Sequence, residues 1–288
     1  MALGLVLHWH FGRIQRPRNK GHAHYMNLVI RKVLKKISGR RVVRRKLPNR
    51  FGNQTLFVTP ESSLRYWHFN LGKVDPVLIG SAEELVRKGD VVWDIGANVG
   101  LFTFVAGFLA GPKGIILAIE PDLFLASLIF RSLSNGDDRR AKIEILPVAI
   151  SNEISLSRLV LHEMGRASNY LEGTKTEMIW KKFNENQIAM TVTLDWLLEH
   201  FPAPNVVKID VEGNEDRVFQ GAEVLLKKIK PKILCEVSRH APKISSVLAD
   251  AGYTLFDAGI KPEERRPLQL ACWNLLAYHS NNSVPGKI

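Results

Sequence analysis

Acidic side chains follow several apolar runs of this sequence, at positions where the strands of a parallel sheet would end. Asp94 lies at the end of one run, and Glu120 follows the next one along the chain. A turn bounded by Gly96 and Gly100 separates them, and glycine lets the backbone approach a ligand closely. An acidic group after the second strand can accept both hydrogen bonds of a ribose diol. The spacing therefore predicts a site for a nucleoside cofactor.

The charge of Asp94 favours one nucleoside cofactor over another. The turn reads Gly-x-x-x-Gly rather than G-x-G-x-x-G, and a carboxylate near a helix N-terminus would repel a pyrophosphate. The same carboxylate would attract an ammonium or a sulfonium group. S-adenosylmethionine carries both groups and has no phosphate, so we expect it rather than NAD, and an NAD oxidoreductase is the last alternative. The expected cofactor residues are Asp94, Gly96, Ala97, Asn98, Gly100, Glu120 and, beside the adenine, Ala149.

Short apolar runs alternate with helical patterns from residue 78 onward. Asp122 and Asn214 are expected to cap helices. A single strand is expected over 143–150 and a single helix over 214–230. This alternation predicts an α/β fold with a doubly wound, mostly parallel, seven-stranded sheet. Because ligands bind outside the carboxyl ends of such strands, the acidic residues that follow the strands should converge on one crevice.

The net charge of +12 is confined to the first part of the chain. Residues 1–60 hold 14 of the 40 Lys and Arg and none of the 28 acidic residues, so 61–288 keep 26 basic and 28 acidic residues. We therefore predict a basic N-terminal extension over 1–60, with a solvated linker at 40–46. One domain should occupy 61–288. Its core spans about 78–237, and an insertion at 152–190 is expected to select the acceptor.

The extension has the composition of a surface-binding arm. Residues 27–39 predict a short basic amphipathic helix, which either docks on the domain or binds an anionic membrane surface or RNA. No apolar run reaches the roughly 20 residues that span a bilayer. Cys235 and Cys272 form no C-x-x-C pair and suit a reducing compartment. We expect a cytoplasmic protein, with peripheral membrane attachment or an organelle presequence as alternatives.

A second motif, Lys-Ile-Asp-Val-Glu-Gly at 208–213, places two carboxylates two residues apart at the end of a strand. In an extended chain this spacing points both side chains to one side. A hydroxyl that is methylated needs a proton acceptor, so Asp210 and Glu212 are the candidate bases. Glu236 and His240 are the candidate acceptor-binding residues. We expect no metal, because the histidine pairs near the N-terminus have no acidic or cysteine neighbours.

The combined motifs resemble the FkbM family of S-adenosylmethionine-dependent methyltransferases. The resemblance covers about 78–237. It is carried by 94–100, Glu120-Pro121-Asp122, Val148-Ala149-Ile150-Ser151, Thr193-Leu194-Asp195, 208–213 and Glu236. It implies a class I, Rossmann-like methyltransferase fold and, usually, O-methylation of a hydroxyl on a sugar, polyketide or similar small molecule by in-line displacement. The insertion and the extension match no pattern of the family, so the resemblance does not supply the acceptor.

Two other functional classes compete with a small-molecule methyltransferase. An RNA methyltransferase could use 1–60 as a binding arm. The sequence has no Asn-Pro-Pro-Tyr-like segment for amino methylation, however, and neither cysteine lies in a motif for carbon methylation. A non-enzymatic nucleotide-binding scaffold would not need the acidic constellation. A small-molecule acceptor, with a saccharide among the candidates, is therefore the favoured partner.

Overall fold

The computed structural model describes residues 41–134, 136–161, 169–172 and 185–280. The helix predicted over 27–39 lies outside these residues, and the contact of 1–60 with a membrane or RNA stays a prediction. No helix in the described part has the length and hydropathy of a membrane span. The strands are β1 (Val43–Lys46), β2 (Thr55–Val58), β3 (Val91–Ile95), β4 (Ile115–Ile119), β5 (Lys142–Leu146), β6 (Ala149–Ile150), β7 (Ser155–Leu161), β8 (Tyr170–Leu171), β9 (Glu185–Val192), β10 (Val206–Ile209), β11 (Lys232–Glu236), β12 (Tyr253–Asp257) and β13 (Asn274–His279). The α-helices are α1 (Pro76–Leu85), α2 (Leu101–Ala110), α3 (Leu123–Leu133), α4 (Leu194–Leu198), α5 (Glu215–Gln220) and α6 (Ala241–Asp250).

The central sheet has the strand order β12-β13-β11-β10-β3-β4-β5. β13 runs antiparallel to both of its neighbours, and the other adjacent pairs are parallel, so the sheet is mixed. β3 and β10 lie side by side, and their register places Asp94 opposite Lys208. Because β3, β4, β10 and β11 run in the same direction, their carboxyl ends meet at one edge of the sheet. The acidic residues predicted at the strand ends therefore converge, as ligands of open α/β sheets require.

Both faces of the sheet are covered by apolar side chains. Val92 packs into one buried cluster, together with side chains of α1 and α2, while Trp93 and Ile95 pack into the other with α5 and α6. A strand that is buried on both faces is apolar at nearly every position, which is why the β3 run is continuous in the sequence. The polar residue of such a strand needs an internal partner, and in β3 that residue is Asp94.

Short polar side chains begin two of the helices beside the site. The Asp75 carboxylate accepts the backbone N–H of Leu78 at 3.0 Å at the start of α1. The Asp122 carboxylate accepts the N–H of Phe124 at 2.9 Å at the start of α3, as the sequence predicts. Each cap of this kind contributes about 1 kcal/mol.

The helix predicted over 214–230 is interrupted near its middle. α5 ends before Gly221, a π-helical turn follows, and the Asn214 side chain makes no capping bond. A Cβ at Gly221 would stand 2.6 Å from the carbonyl oxygen of Ser151, so the chain turns where it packs closely against another segment. The Asp195 carboxylate then accepts two backbone N–H groups at 2.9 Å where the second helical segment starts. Tertiary packing here overrides the helical pattern of the sequence.

The segment 41–60 folds onto the domain, so its predicted place in the extension is wrong, as is the predicted solvated linker over its residues 41–46. β1 and β2 form an antiparallel hairpin, and Arg44 and Lys46 are exposed on one face. Four apolar side chains of this segment are buried in the core: Leu47, Phe51, Leu56 and Val58. β2 packs on α3, where the Ser132 hydroxyl accepts the Phe57 N–H at 2.9 Å. The folded body therefore includes residues 41–60, whose buried apolar side chains pack into the core of the domain.

The strand expected over 143–150 is two strands. β5 ends before Pro147, which has no N–H for a sheet ladder, and β6 joins a second sheet by pairing with β9. The second sheet has the order β6-β9-β7-β8 and contains the described part of the 152–190 insertion. Its long strands, β7 and β9, are antiparallel.

Two side chains of the insertion tie the second sheet to the turn after β4. Gln187 donates to the carbonyl oxygen of Pro121 at 2.6 Å. Asn169 donates to the Asp122 carboxylate at 2.8 Å. The insertion is thereby fixed beside the edge of the central sheet at which the acidic residues converge.

Candidate active site

The carboxyl ends of β3, β4, β10 and β11 border an open cavity of about 200 Å³. Most of the residues predicted from the sequence line it, namely Gly96, Asn98, Glu120, Ala149, Asp210, Glu212 and Glu236. The others do not line it, namely Asp94, Ala97, Gly100 and His240. The fold thus brings the proposed cofactor and base residues to one place, and it separates four of the predicted residues from the cavity.

The glycine turn after β3 is held by its own backbone groups. The N–H groups of Gly96 and Ala97 both donate to the carbonyl oxygen of Ile119, at 2.9 and 3.0 Å, and the Gly100 N–H donates to that of Ala97 at 2.8 Å. Gly96 has a φ of 72°, and a Cβ there would stand 1.8 Å from the carbonyl oxygen of Asp210, so only glycine fits. Ala97 packs in the core, and Gly100 begins α2.

Asp94 lies beneath the turn and is fully buried. One carboxylate oxygen accepts the Thr103 hydroxyl at 2.5 Å, and the other lies 3.1 Å from the Lys208 Nζ. An ion that is paired inside the protein leaves little net field for a ligand. This corrects the expectation that Asp94 attracts an ammonium or sulfonium group directly.

Lys208 has no role in the sequence analysis, yet it is the central cation of the site. Its side chain is 6% exposed, and its Nζ lies 3.9 Å from an Asp210 oxygen in addition to the Asp94 contact. It also donates to the carbonyl oxygens of Ile95 at 3.3 Å and Gly96 at 2.6 Å. Burial lowers the pKa of Lys208, but the charges of Asp94 and Asp210 outweigh this effect and raise it overall. A lone lysine in an apolar strand is the signal that could have found it, because lysines are almost never buried unless paired.

Glu120 is almost fully buried at the edge of the cavity. One of its oxygens accepts the Asn98 N–H at 2.7 Å, and the other accepts the Asp122 N–H at 2.9 Å. Burial raises the pKa of Glu120 to about 8, against the lowering effect of these two bonds. Each carboxylate oxygen keeps a second lone pair, so the group can still accept the two hydroxyls of a ribose.

Three partly exposed carboxyl groups face one another at the ends of β10 and β11. Oxygen atoms of Asp210, Glu212 and Glu236 all lie within 4.8 Å of one another. Burial, with the charges of Asp210 and Glu212, raises the pKa of Glu236 to about 8. Burial also raises the pKa of Asp210, and Lys208 opposes that effect. Neighbouring carboxyl groups in different environments can divide acid and base roles, with Glu236 as the protonated partner and Asp210 as the proton acceptor.

The same three carboxyl groups are the only cluster in the described residues that could share a metal ion. Oxygen ligands of this type suit Mg²⁺ or Ca²⁺. Two features reduce the negative charge of this cluster without a metal. The ammonium of Lys208 lies 3.9 Å from Asp210, and Glu236 carries a proton near neutral pH. The expectation that the protein uses no metal stays a prediction.

His240 is exposed and precedes α6 with a φ of 56°. It does not line the cavity, so the structure does not bring it to the place predicted for the acceptor. Burial raises the pKa of Asp216 on α5, but the hydrogen bond and charge of Lys243, with a smaller effect of His240, lower it overall.

Two asparagines that line the cavity have an unpaired acceptor. The Oδ1 atoms of Asn98 and Asn214 are buried and have no hydrogen-bond partner among the described residues. The Asn214 Nδ2 donates to the carbonyl oxygen of Ile150 at 2.8 Å, which fixes that amide. An unpaired buried acceptor costs about 1–3 kcal/mol, so a ligand donor is its expected partner.

The insertion forms one wall of the cavity, and the sequence predicted none of the individual residues in that wall. The cavity residues from this segment are Leu159, Asn169, Tyr170 and Leu171. Leu159 lies on β7, Asn169 precedes β8, and Tyr170 and Leu171 form this short strand, which no apolar pattern in the sequence marks. Gln187 and Asn169 hold this wall beside the turn that carries Glu120.

The model of the methyltransferase FkbM domain matches residues 94–255, more than half of the chain. The chain belongs to the FkbM methyltransferase family. The sequence motifs predicted this family, whose members are S-adenosylmethionine-dependent methyltransferases. The matched region contains both acidic motifs and the whole of the described insertion.

Similar proteins include the hexuronic acid methyltransferase AglP of Haloferax volcanii, which is 28% identical over 148 residues. That match covers 51% of this chain and 55% of AglP, so the chain spans about half the length of this relative. Among solved structures, the methyltransferase FkbM of Methylobacillus flagellatus KT has a TM-score of 0.42 at 14% sequence identity. The match covers 69% of this chain and 50% of the Methylobacillus chain. Fibrillarin of Aeropyrum pernix, solved with S-adenosyl-L-methionine, has a TM-score of 0.37 at 13% identity, over 67% of each chain.

The residues of this FkbM-family cavity fit S-adenosylmethionine. Glu120 offers carboxylate oxygens to a ribose, and the apolar side chains beside Ala149 suit an adenine ring. Gly96 borders the cavity with its backbone, and the unpaired Oδ1 atoms of Asn98 and Asn214 can accept hydrogen bonds from a ligand. These residues would hold the cofactor, and the carboxyl groups of Asp210, Glu212 and Glu236 would face the acceptor.

Proposed function

We propose that the protein transfers a methyl group from S-adenosylmethionine to a hydroxyl oxygen of a saccharide. The observation that carries this proposal is the Asp210 carboxylate, whose side chain is 35% exposed in the same cavity as Glu120. A neutral hydroxyl must lose its proton as its oxygen attacks, and Asp210 is our candidate to accept it. The similarity to AglP, whose name specifies hexuronic acid, supports a sugar as the acceptor class.

The reaction is an in-line displacement. S-adenosylmethionine supplies a methyl group bound to a positively charged sulfur. The acceptor oxygen forms a bond to the methyl carbon as the carbon–sulfur bond breaks, and the hydroxyl proton passes to Asp210. Glu236 is protonated near neutral pH and donates a hydrogen bond to the acceptor. Holding both reactants in line contributes about 7 to 11 kcal/mol to such a step.

The proposal is tested with radiolabelled S-adenosylmethionine and a panel of neutral, amino and uronic sugars, free and as glycosides. We expect label on a sugar oxygen with at least one member of the panel. Asp210→Asn should lower kcat by about 100-fold, the usual contribution of a general base, while the affinity for S-adenosylmethionine is kept. Glu223→Gln, at an exposed carboxylate paired with Lys227, is the matched control and should keep full activity.

Two results would contradict this function. Labelling of RNA or protein but of no sugar would exclude a saccharide as the acceptor. Full activity in both Asp210→Asn and Glu212→Gln would exclude a carboxylate of this pair as the general base. The rate would then come from the alignment of the two reactants alone.

A further inference from the structure

Lys208 is the buried cation at which the glycine turn and two carboxylates meet. Its Nζ contacts the Asp94 carboxylate at 3.1 Å and the carbonyl oxygens of Ile95 and Gly96 at 3.3 and 2.6 Å. Asp210 lies beyond these contacts at 3.9 Å. The two carbonyl groups accept hydrogen bonds from the ammonium, and Asp94 forms an ion pair with it.

The glycine turn is fixed from two sides. Lys208 holds the carbonyl groups of Ile95 and Gly96, and the carbonyl group of Ile119 holds the N–H groups of Gly96 and Ala97. A Cβ on Gly96 would stand 1.8 Å from the carbonyl oxygen of Asp210, so the two strand ends are in direct backbone contact. A rotation of the Gly96 peptide would therefore displace the cavity wall that Gly96 and Asp210 share.

Lys208 itself does not line the cavity, and only 6% of its side chain is exposed. Any effect on a ligand must therefore pass through residues that do line it, and of those Lys208 contacts Ile95, Gly96 and Asp210. Asp94 is also out of reach, with one oxygen bound to Thr103 and the other paired with Lys208.

We propose that Lys208 is a positioning residue for the methionine end of S-adenosylmethionine, because it fixes the Gly96 peptide against Asp210 and so shapes that part of the cavity. The inference rests on the assignment of the ribose to Glu120, which leaves Gly96 and Asp210 to border the methionine end. It differs from a purely structural role, in which Lys208 only neutralises Asp94.

Two variants separate these roles. Lys208→Met removes the donor and leaves Asp94 buried without its counter-ion, which destabilises the protein. The double variant Asp94→Asn, Lys208→Met removes both charges, so its folding should recover, while the bonds to the Ile95 and Gly96 carbonyl groups remain lost. Lys243→Met, at an exposed lysine paired with Asp216, is the control for removal of a lysine charge.

Binding is measured by calorimetry on the full chain with S-adenosylmethionine and with adenosine, which lacks the methionine end. In the double variant we expect the affinity for S-adenosylmethionine to fall at least tenfold and the affinity for adenosine to change less than threefold. Lys243→Met should bind both ligands as the wild type does. Glu120→Gln should weaken both, and if it weakens neither, the ribose assignment fails independently of Lys208.

The opposite results overturn the inference. S-adenosylmethionine affinity within twofold of wild type in the double variant would show that Lys208 only balances Asp94. An equal loss for both ligands, or failure of the double variant to fold, would assign Lys208 a structural role.

Discussion

Replacement of Glu120 with Gln probes the cofactor site closely, because it keeps the shape of the side chain and removes its charge. Glu120 is almost fully buried and accepts the N–H groups of Asn98 and Asp122 at 2.7 and 2.9 Å. Hydrogen bonds to a charged acceptor contribute about 1.5–3 kcal/mol each. Two ribose hydroxyls lose their charged acceptor in the variant, and we take about 3 kcal/mol as the net loss. At about 1.4 kcal/mol per factor of ten, the affinity for S-adenosylmethionine should fall about 100-fold at pH 9, where Glu120 of the wild type is ionised.

The pH dependence of binding gives a second measure of the same group. Burial raises the pKa of Glu120 to about 8, so the free protein holds a proton there at neutral pH. Binding to the carboxylate must release that proton, so the affinity should rise up to tenfold per pH unit from pH 6 to pH 8 and level off above. Two units below the pKa, the cost is about 2.7 kcal/mol.

The raised pKa of Glu120 also affects folding, with the opposite sign. Its pKa is about 8 in the folded protein and 4.5 in an unfolded chain, so the folded state holds a proton that the unfolded state releases between these values. The contribution of Glu120 to the free energy of unfolding of the ligand-free protein is fully present below pH 4.5 and declines as the pH rises to 8, by up to about 1.4 kcal/mol per unit.

Calorimetry between pH 6 and pH 9, in buffers of different ionisation enthalpy, measures both the affinity and the protons released. The slope for adenosine should report Glu120 alone, because adenosine has the ribose diol and no amino group that titrates in this range. Glu236→Gln should keep the slope and Glu120→Gln should abolish it. A wild-type affinity for adenosine that is flat from pH 6 to pH 8, or Glu120→Gln binding at wild-type strength, would refute the reasoning.

Two further predictions concern the turn and the acidic cluster. Gly96→Ala places a Cβ 1.8 Å from the carbonyl oxygen of Asp210 at a positive φ, so it should cost several kcal/mol in urea denaturation, of which about 1–2 kcal/mol is backbone strain. Gly80→Ala, on α1 with no atom near the new Cβ, should instead stabilise the protein by about 0.5–1 kcal/mol, and equal effects of the two would contradict the close approach. Methyl transfer should be unchanged in EDTA and on added Mg²⁺, because Lys208 and a proton on Glu236 already offset the charge of the cluster; loss of activity in EDTA with recovery in Mg²⁺ would establish a metal site.

The sequence predicts much of the central fold because each strand of that region is a short apolar run between strong local signals. Asp122 begins a helix as predicted, since a cap acts on N–H groups two or three residues away. The structure differs from the sequence prediction where contacts between distant segments determine the local conformation. Gly221 interrupts a helical pattern because it packs against Ser151, and the hairpin before residue 60 folds because its apolar face meets α3. Neither contact has a signature in the local sequence.

The candidate site likewise has a part that the sequence predicts and a part that depends on contacts between distant residues. The strand ends that carry Glu120, Asp210 and Glu236 converge as the sequence predicts, because parallel strands place their carboxyl ends at one edge. The partner of Asp94 was not predictable, since Lys208 lies on β10 and only the register between β3 and β10 places the two side chains together. Sequence reasoning treated Asp94 as a free charge, and the fold makes it one half of an ion pair.

Because Asp94 is paired, its charge does not explain why the site would bind S-adenosylmethionine rather than a dinucleotide. The backbone of the glycine turn provides a physical cause. Phosphates bind at a strand-to-helix turn through free backbone N–H groups. Here the N–H groups of Gly96, Ala97, Asn98 and Gly100 all donate to acceptors within the protein. α2 begins with buried residues that do not line the cavity, so its N-terminus is not open to a ligand there. A cofactor at this turn must gain its affinity from side-chain acceptors and from carbonyl groups. A ligand with hydroxyl and ammonium donors meets that requirement, and a pyrophosphate does not.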